Sequence, residues 1–419
     1  MEKEISNKYY RGRRFHYAWI ILAVGTLVVF GSLGLARFGY TMILPAMQSN
    51  LGLNNTQTGG IATANLIGYL ILSVFGGALA ARYGPRIVIS AGLAIAGIAM
   101  IMTGLSNSFV SVSFWRAITG IGSGASNVPA IGLLAAWFAQ HRRGFASGIG
   151  VTGSSLALIV LGISVPYILK ISGSDGWRIC WFIYGSFTVL LSLLAITVLR
   201  NSPSELGILP AGVTENTITE ITGGRKLNWS KVYKSVRVWH LGIIYIAFGF
   251  SYIIYITFFS KYLISEVNFT QEAAGRLFMI MGWFSLFCGL IWGSFSDKFG
   301  RKAALIIVYL IQAASFSLFA LLPTYTGAII SSFLFGISAW SIPAIMAATC
   351  GDILGPRLAP AGLGFITLFF GIGQAAGPGI AGMIADALHS FSPALLLASL
   401  VATAGAIGSF MLKKHDGNM

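Results

Sequence analysis

Apolar runs of about 20 residues, the length that crosses a bilayer core of about 30 Å, recur along nearly the whole chain with only short polar breaks between them. Twelve can be placed: Tyr17 to Met47, Gly59 to Ala80, Ile87 to Thr103, Val110 to Phe138, Phe145 to Leu169, Cys180 to Leu199, Leu241 to Tyr262, Ala274 to Phe295, Ala303 to Leu322, Gly327 to Ala348, Gly362 to Ile384 and Pro393 to Leu412. A backbone in hydrocarbon must satisfy its own N–H and C=O groups, and runs of this length do so as helices. The predicted fold is therefore all-α, a polytopic membrane protein of twelve transmembrane helices in two six-helix bundles. Composition agrees: 56% of residues are hydrophobic, 9% are charged, and mean hydropathy is +0.79.

One polar segment, Asn201 to Ser235, is long enough to be a linker. It divides the chain into an N-terminal bundle (1–200), a linker (201–237) and a C-terminal bundle (238–419). The net charge of +15 would suit nucleic acid, but its placement argues against that. Arg11, Arg13, Arg14, Arg82, Arg86, Arg142, Arg143, Arg225, Lys226, Lys231, Lys234, Arg237, Lys298, Arg301, Lys302, Arg357, Lys413 and Lys414 all fall on one side of the predicted helices. The other side has only a few, such as Lys170, Arg178, Lys261 and Arg276. This positive-inside bias predicts cytoplasmic termini and a cytoplasmic linker in a bacterial inner membrane. The first apolar run is too long for a signal-peptide core, so it is expected to stay as a helix. Cys180, Cys288 and Cys350 lack metal-like spacing and are expected to pack in helices.

The halves repeat each other. Gly77-Ala78-Leu79-Ala80-Ala81-Arg82-Tyr83-Gly84-Pro85-Arg86 and Gly293-Ser294-Phe295-Ser296-Asp297-Lys298-Phe299-Gly300-Arg301-Lys302 are degenerate copies of one basic, glycine-framed turn. Thr56-Gln57 before the second helix recurs as Thr270-Gln271 before the eighth, and the glycine-rich fifth helix (Gly144 to Gly153) is echoed by the eleventh (Gly362 to Gly373). Internal duplication of apolar halves is a transporter architecture. With Arg116-x-x-x-Gly120-x-Gly122 on the fourth helix and Gly176-Trp177-Arg178 before the sixth, the chain resembles the major facilitator superfamily over essentially its full length. The resemblance implies two bundles rocking around a central site that opens alternately to each side. It also implies a gating role for the basic turns, carried here by Gly77, Arg82, Gly84 and Arg86 and by Gly293, Asp297, Gly300 and Arg301. The turn carboxylate that such families use to hold one conformation closed is kept as Asp297 but replaced by Ala81 in the first copy. The first lock is therefore expected to be the weaker.

A charge at membrane depth costs about 2.5 to 3.5 kcal/mol on insertion scales. Only Arg37 and Arg116 clearly lie there. On an α-helix, Leu33, Gly34, Arg37, Tyr40, Thr41 and Leu44 share one face, and a cation beside a glycine and two hydroxyls suits a solvated cavity. The spacing from Arg37 to Pro45 is similar to the first helix of the organophosphate/phosphate antiporters, whose Arg binds the substrate anion. In that branch a second Arg lies about ten residues before a Tyr-Leu pair on the seventh helix; here the pair is Tyr262-Leu263, and Tyr252 stands in the place of the Arg. One cation with a phenol suits a singly charged group better than a dianion. Arg37 read blandly is a residue tied to backbone carbonyls or snorkelling to the interface. For Arg116 the resemblance implies packing or proton coupling, with substrate contact as the alternative. Arg116, Gly120, Ser123 and Asn127 form a polar stripe expected to face the cavity or the first helix. Asn65, Tyr69, Tyr255, Trp340, Ser341 and Thr367 are read as interhelical hydrogen-bonding groups; Gln374 joins Tyr252 as a site candidate because the seventh and eleventh helices usually line the site in this family.

No Asp, Glu or His stands in the middle of a predicted helix. That argues against a dedicated proton relay and against cationic substrates. No phosphate-binding Gly-x-x-x-x-Gly-Lys-Ser/Thr loop occurs, and no enzyme signature or cofactor motif is found. The expected activity is secondary transport of a small organic anion, a monocarboxylate, as anion exchange or proton-linked movement. The binding set is Arg37, Tyr40, Tyr252, Gln374, Asn127 and Arg116, with no catalytic residue and no metal. An exporter of apolar or aromatic compounds is the alternative, and a signalling transceptor a third reading. Expected partners are the substrate and membrane lipid, the protein working as a monomer.

Overall fold

A computed structural model describes residues 16–139, 142–213, 230–355 and 358–412 of the 419-residue chain. Arg11, Arg13, Arg14, Arg225, Lys226, Arg357, Lys413 and Lys414, and linker residues 214–229, lie outside the described residues. The described residues hold ten helical spans long and apolar enough to cross a membrane, eleven with the bent pair Gln271–Ser285 and Cys288–Phe299. Dividing the 56-residue span Arg143–Val198 at its short turn gives twelve helices: α1 (Ala18–Leu51), α2 (Asn55–Tyr83), α3 (Pro85–Gly104), α4 (Phe109–Trp137), α5 (Arg143–Ser172), α6 (Gly176–Val198), α7 (Val236–Ser265), α8 (Gln271–Ser285 and Cys288–Phe299), α9 (Arg301–Leu321), α10 (Tyr325–Leu354), α11 (Ala359–Leu388) and α12 (Ser392–Phe410). α5 and α6 are separated by the short turn Gly173–Asp175, and the two segments of α8 meet at a bend of 41°. The described residues contain no β-strand, only an isolated bridge between Phe138 and Ala211.

The helix ends follow from local chemistry. Asn54 caps α2, its side chain accepting from the Gln57 N–H at 2.8 Å while the Gln57 side chain accepts from the Asn54 N–H at 3.0 Å. Thr270 caps α8 by accepting from the Ala273 N–H, so the repeated Thr-Gln landmarks both mark helix starts. Both basic turns reverse the chain at a glycine with positive φ, Gly84 at 86° and Gly300 at 91°, a conformation that disfavours any Cβ. Large apolar side chains such as Phe75, Val110, Ile163, Leu190, Leu290 and Leu400 are exposed on the outside of the bundle, where lipid would cover them. Cys180, Cys288 and Cys350 are buried and free.

Glycines set how closely helices approach. A Cβ on Gly153 of α5 would lie 2.2 Å from the Thr26 carbonyl of α1, and one on Gly373 of α11 would lie 2.4 Å from the Ile246 carbonyl of α7. The two glycine-rich helices thus pack against the first helix of their own half by the same device.

The halves meet on one face and part on the other. On the face away from the linker, Cβ atoms on Gly59 of α2 and Gly382 of α11 would meet the Pro378 carbonyl at 2.2 Å and the Asn55 carbonyl at 2.3 Å. There Gly162 of α5 and Gly275 of α8 press against each other's carbonyls at 2.4 and 2.3 Å. Nearer the linker, Gly77 of α2, Gly364 of α11, Gly148 of α5 and Gly289 of α8 have nothing within 4 Å. The same four helices therefore converge away from the linker and diverge toward it.

Candidate functional site

Arg37 is carried by an unusual stretch of helix. Residues Phe30–Phe38 of α1 are wound as a π-helix, a rare geometry that widens the turn and is frequent at functional sites. The wider turn alters the face predicted from α-helical spacing. Gly34 is turned to α5, where an added Cβ would lie 2.1 Å from that of Ala157. Arg37, Tyr40 and Thr41 instead line a small central cavity together with Phe38, Asn65, Arg116, Ile253, Ile256 and Thr257. The cavity is about 20 Å³, room for about one water, and no acidic side chain lines it.

Arg116 enters this cavity from α4. It is 1% exposed, and its guanidinium carbon lies 4.7 Å from the ring centre of Trp181 and 5.4 Å from that of Tyr40. The Arg37 guanidinium lies 5.3 Å from the ring of Tyr69 and 6.0 Å from that of Phe38. Ring faces offset part of each charge, but they offer no lone pair to the N–H groups in the guanidinium plane. Nε and Nη2 of Arg37, and Nε and Nη1 of Arg116, are buried without a hydrogen-bond partner. Four unsatisfied donors on two cationic side chains that line one cavity make an anion-seeking site.

The other predicted binding residues surround this centre. Tyr40 donates to the Thr58 carbonyl at 2.7 Å, which holds its ring against Arg116. Asn127 donates to the Tyr69 hydroxyl at 3.0 Å and leaves its own carbonyl oxygen without a partner. Tyr252 and Gln374 bond to each other, the amide donating to the phenol. The Tyr252 ring meets Trp340 edge-on at 6.3 Å, and Trp340 packs on Phe38 at 5.5 Å. Tyr252, Gln374 and Asn127 therefore connect to the cavity through Trp340, Phe38 and Tyr69 rather than lining it.

The polar stripe of α4 faces differently from the expectation. A Cβ on Gly120 would lie 1.9 Å from the Asn65 carbonyl, Asn127 reaches Tyr69, and Asn65 donates to the Arg116 carbonyl at 2.8 Å. Asn65 and Tyr69 belong to α2, so the stripe packs on α2 and only Arg116 reaches the cavity. Sequence reasoning missed Trp181 and the Ile253, Ile256 and Thr257 face of α7. Trp181 stands four residues after Trp177, and Ile253, Ile256 and Thr257 share one helical face, but neither pattern is distinguishable from ordinary core.

The two basic turns are built differently. In the second, Asp297 pairs with Arg301, whose Nε also reaches Asp352 of α10 at 3.0 Å and whose Nη1 donates to Ser296 at 2.6 Å. In the first, with Ala81 in place of the acid, Arg86 is tied through its N–H to the Asn201 side chain at 2.9 Å and through Nε to the Ile196 carbonyl at 2.7 Å. Arg82 lies 5.2 Å from the ring of Tyr83. Gly77 and Gly293 have open space around them. The Asp297 pair ties α8, α9 and α10 within one half and does not bridge the halves.

Bonds that cross between the halves lie in the bundle interior, where Ser285 of α8 donates to the Ser155 hydroxyl of α5 at 2.7 Å, and on the face opposite the basic turns. Asp386 of α11 accepts from the Asn55 N–H at 3.0 Å, the Thr56 N–H at 2.7 Å and the Thr56 hydroxyl at 2.6 Å, a carboxylate seated on the N-terminus of α2. Gln271 of α8 donates to the Met42 carbonyl of α1 at 2.9 Å.

The chain is 25% identical over 376 residues to the hexuronate transporter of Bacillus subtilis, covering 87% of each chain. It is 22% identical over 401 residues to the probable sulfoacetate transporter SauU of Cupriavidus necator, covering 90% of this chain and 89% of that one. Its fold matches a bacterial homologue of the human lysosomal transporter Spinster, solved in an inward-facing, unoccupied conformation, with a TM-score of 0.72 at 20% identity over 94% of this chain and 95% of that one. A family profile described as "Uncharacterised MFS-type transporter YbfB" matches residues 29–409, and the chain belongs to that family of membrane transporters.

Proposed function

We propose that the protein is a secondary transporter that carries a small organic anion by alternating access, with Arg37 as the primary anion ligand. The observation that carries this reading is the pair of buried, unpartnered donors of Arg37 in a central cavity that no carboxylate lines. An anionic substrate would supply the acceptors these donors lack, whereas a neutral or cationic one would leave them unsatisfied. Two relatives, a hexuronate transporter and a probable sulfoacetate transporter, are named for substrates that are organic anions. Convergence on one face and divergence on the other supports a rocking mechanism.

The positive-inside bias of Arg82, Arg86, Lys298, Arg301 and Lys302 supports a cytoplasmic linker side, with multi-pass insertion in a bacterial inner membrane. With the inside negative, each charge entering costs about 2.3 kcal/mol per 100 mV. Uptake would then run by exchange for another anion or by co-entry with a proton, and export would run down the field. The basic turns act as gates on the linker side, Asp297 and Arg301 forming the stronger. The expectation of a monocarboxylate rested on Arg37 as a single cation beside a phenol; Arg116 lining the same cavity removes that basis.

The test is uptake of carboxylates and sulfonates into proteoliposomes. Arg37→Ala raises the apparent KM of the transported anion about tenfold or more, the weight of a hydrogen bond to a charged group. Unchanged affinity overturns the assignment of Arg37. Transport of uncharged aromatic compounds that tolerates Arg37→Gln would favour the exporter reading instead.

A further inference from the structure

We infer that the central site is built for a compact dianion, a molecule with two acidic groups such as a dicarboxylate or a sulfonated carboxylate, held between Arg37 of α1 and Arg116 of α4. This rests on the anion-transport reading and names the charge of its substrate. Sequence spacing sought a second cation on the seventh helix and met Tyr252 there. The second cation comes from the fourth helix instead, because α4 packs on α2 at Gly120 and brings Arg116 to the cavity that Arg37 lines.

Three observations set the charge. Each guanidinium has two buried nitrogens without a partner, so each has donors to give, and among the described residues neither forms an ion pair with a carboxylate. The cavity lining contains no Asp or Glu, so two like charges share a low-dielectric space and repel until an anion enters. One carboxylate would leave one of those cations uncompensated, whereas a dianion balances both. Their setting also differs: Arg116 lies beside the rings of Tyr40 and Trp181, and Arg37 beside those of Tyr69 and Phe38, so each fork is held by its own aromatic pair. Two acidic groups on one short carbon skeleton match two separately held forks.

The test uses the full-length purified protein and three dianions, malonate, succinate and sulfoacetate, each paired with the isostere in which one carboxylate is an amide. Binding is read by calorimetry or ligand-induced thermal stabilisation at neutral pH. In the wild type, the dianion of at least one pair binds about tenfold or more tighter than its amide. Arg116→Gln collapses that ratio while retaining binding of the amide, Arg116→Lys keeps a preference for the dianion, and Arg37→Gln loses both ligands. Equal binding of dianion and amide in the wild type, a measurement that needs no variant to fold, overturns the two-charge inference and leaves the anion-transport reading standing. Binding of none of the six overturns the compact dianion. If neutral compounds bind while no anion does, the anion-transport reading falls with it.

Discussion

On the face away from the linker, α2 meets α11 and α5 meets α8 at backbone distance, while near the linker the same helices have open space beside Gly77, Gly364, Gly148 and Gly289. The converged face is held by groups that cross between halves: Asp386 on the N-terminus of α2, Gln271 on the Met42 carbonyl, and the Thr63 hydroxyl on the Ala375 carbonyl at 2.9 Å. On the diverged face, Arg301 bonds within its own half to Asp297 and Asp352, and Arg86 within its own half to Asn201. The difference teaches that one set of four helices can be in backbone contact at one end and apart at the other, the geometry that the proposed rocking mechanism requires. Small residues, neutral hydrogen bonds and the Asp386 carboxylate on a helix N-terminus close one face, and the gating role proposed for the basic turns would be exercised when the other face closes.

The largest effect should come from filling a glycine crossing. Gly162→Val puts a side chain where even a Cβ is 2.4 Å from the Gly275 carbonyl, and overpacking of this kind costs about 1 to 3 kcal/mol. The converged state should lose population about five- to hundredfold, seen as a longer distance between spin labels on Ser108 and Thr324 at the outer ends of α4 and α10. Gly148→Val, in open space, should leave that distance alone. If both variants behave alike, the two faces are not distinct.

A smaller shift should follow Asp386→Asn, which keeps an acceptor but removes the charge facing the α2 N-terminus. At this partly exposed site the loss is about 1 kcal/mol, about fivefold in the same label-distance populations. Thr56→Val, removing one of the three bonds, should do less; an equal or larger effect would mean the hydroxyl, not the charge, holds the face. The smallest effect concerns the basic turns. Asp297→Ala should lower the initial transport rate about two- to fivefold, the scale of an exposed ion pair, while Ala81→Ser leaves it unchanged. Equal responses would dissolve the predicted inequality of the two gates.

Helix number, the repeat and the Arg37 position were legible because each depends on short stretches of chain: hydropathy over about 20 residues, or a turn motif repeated at fixed spacing. The face of α1 was misjudged at Gly34 because the π-helical winding of Phe30–Phe38 changes the angular register, and no residue in that stretch announces it. Nothing in the sequence around Asp386 distinguishes it from any other acid near a helix end. Its role depends on α2, more than three hundred residues earlier, arriving with two free N–H groups.

The sequence by itself determined that this chain is a duplicated membrane protein with two cations at depth, because the cost of polar groups in hydrocarbon leaves few other readings. Only the tertiary structure decided that those cations share one cavity, that Tyr252 and Gln374 bond to each other, and which face is closed. Those facts depend on glycine-mediated approaches between distant helices, such as Gly120 on Asn65 and Gly162 on Gly275. Which helix lies against a given glycine is set by the packing of all twelve and is written in no local pattern.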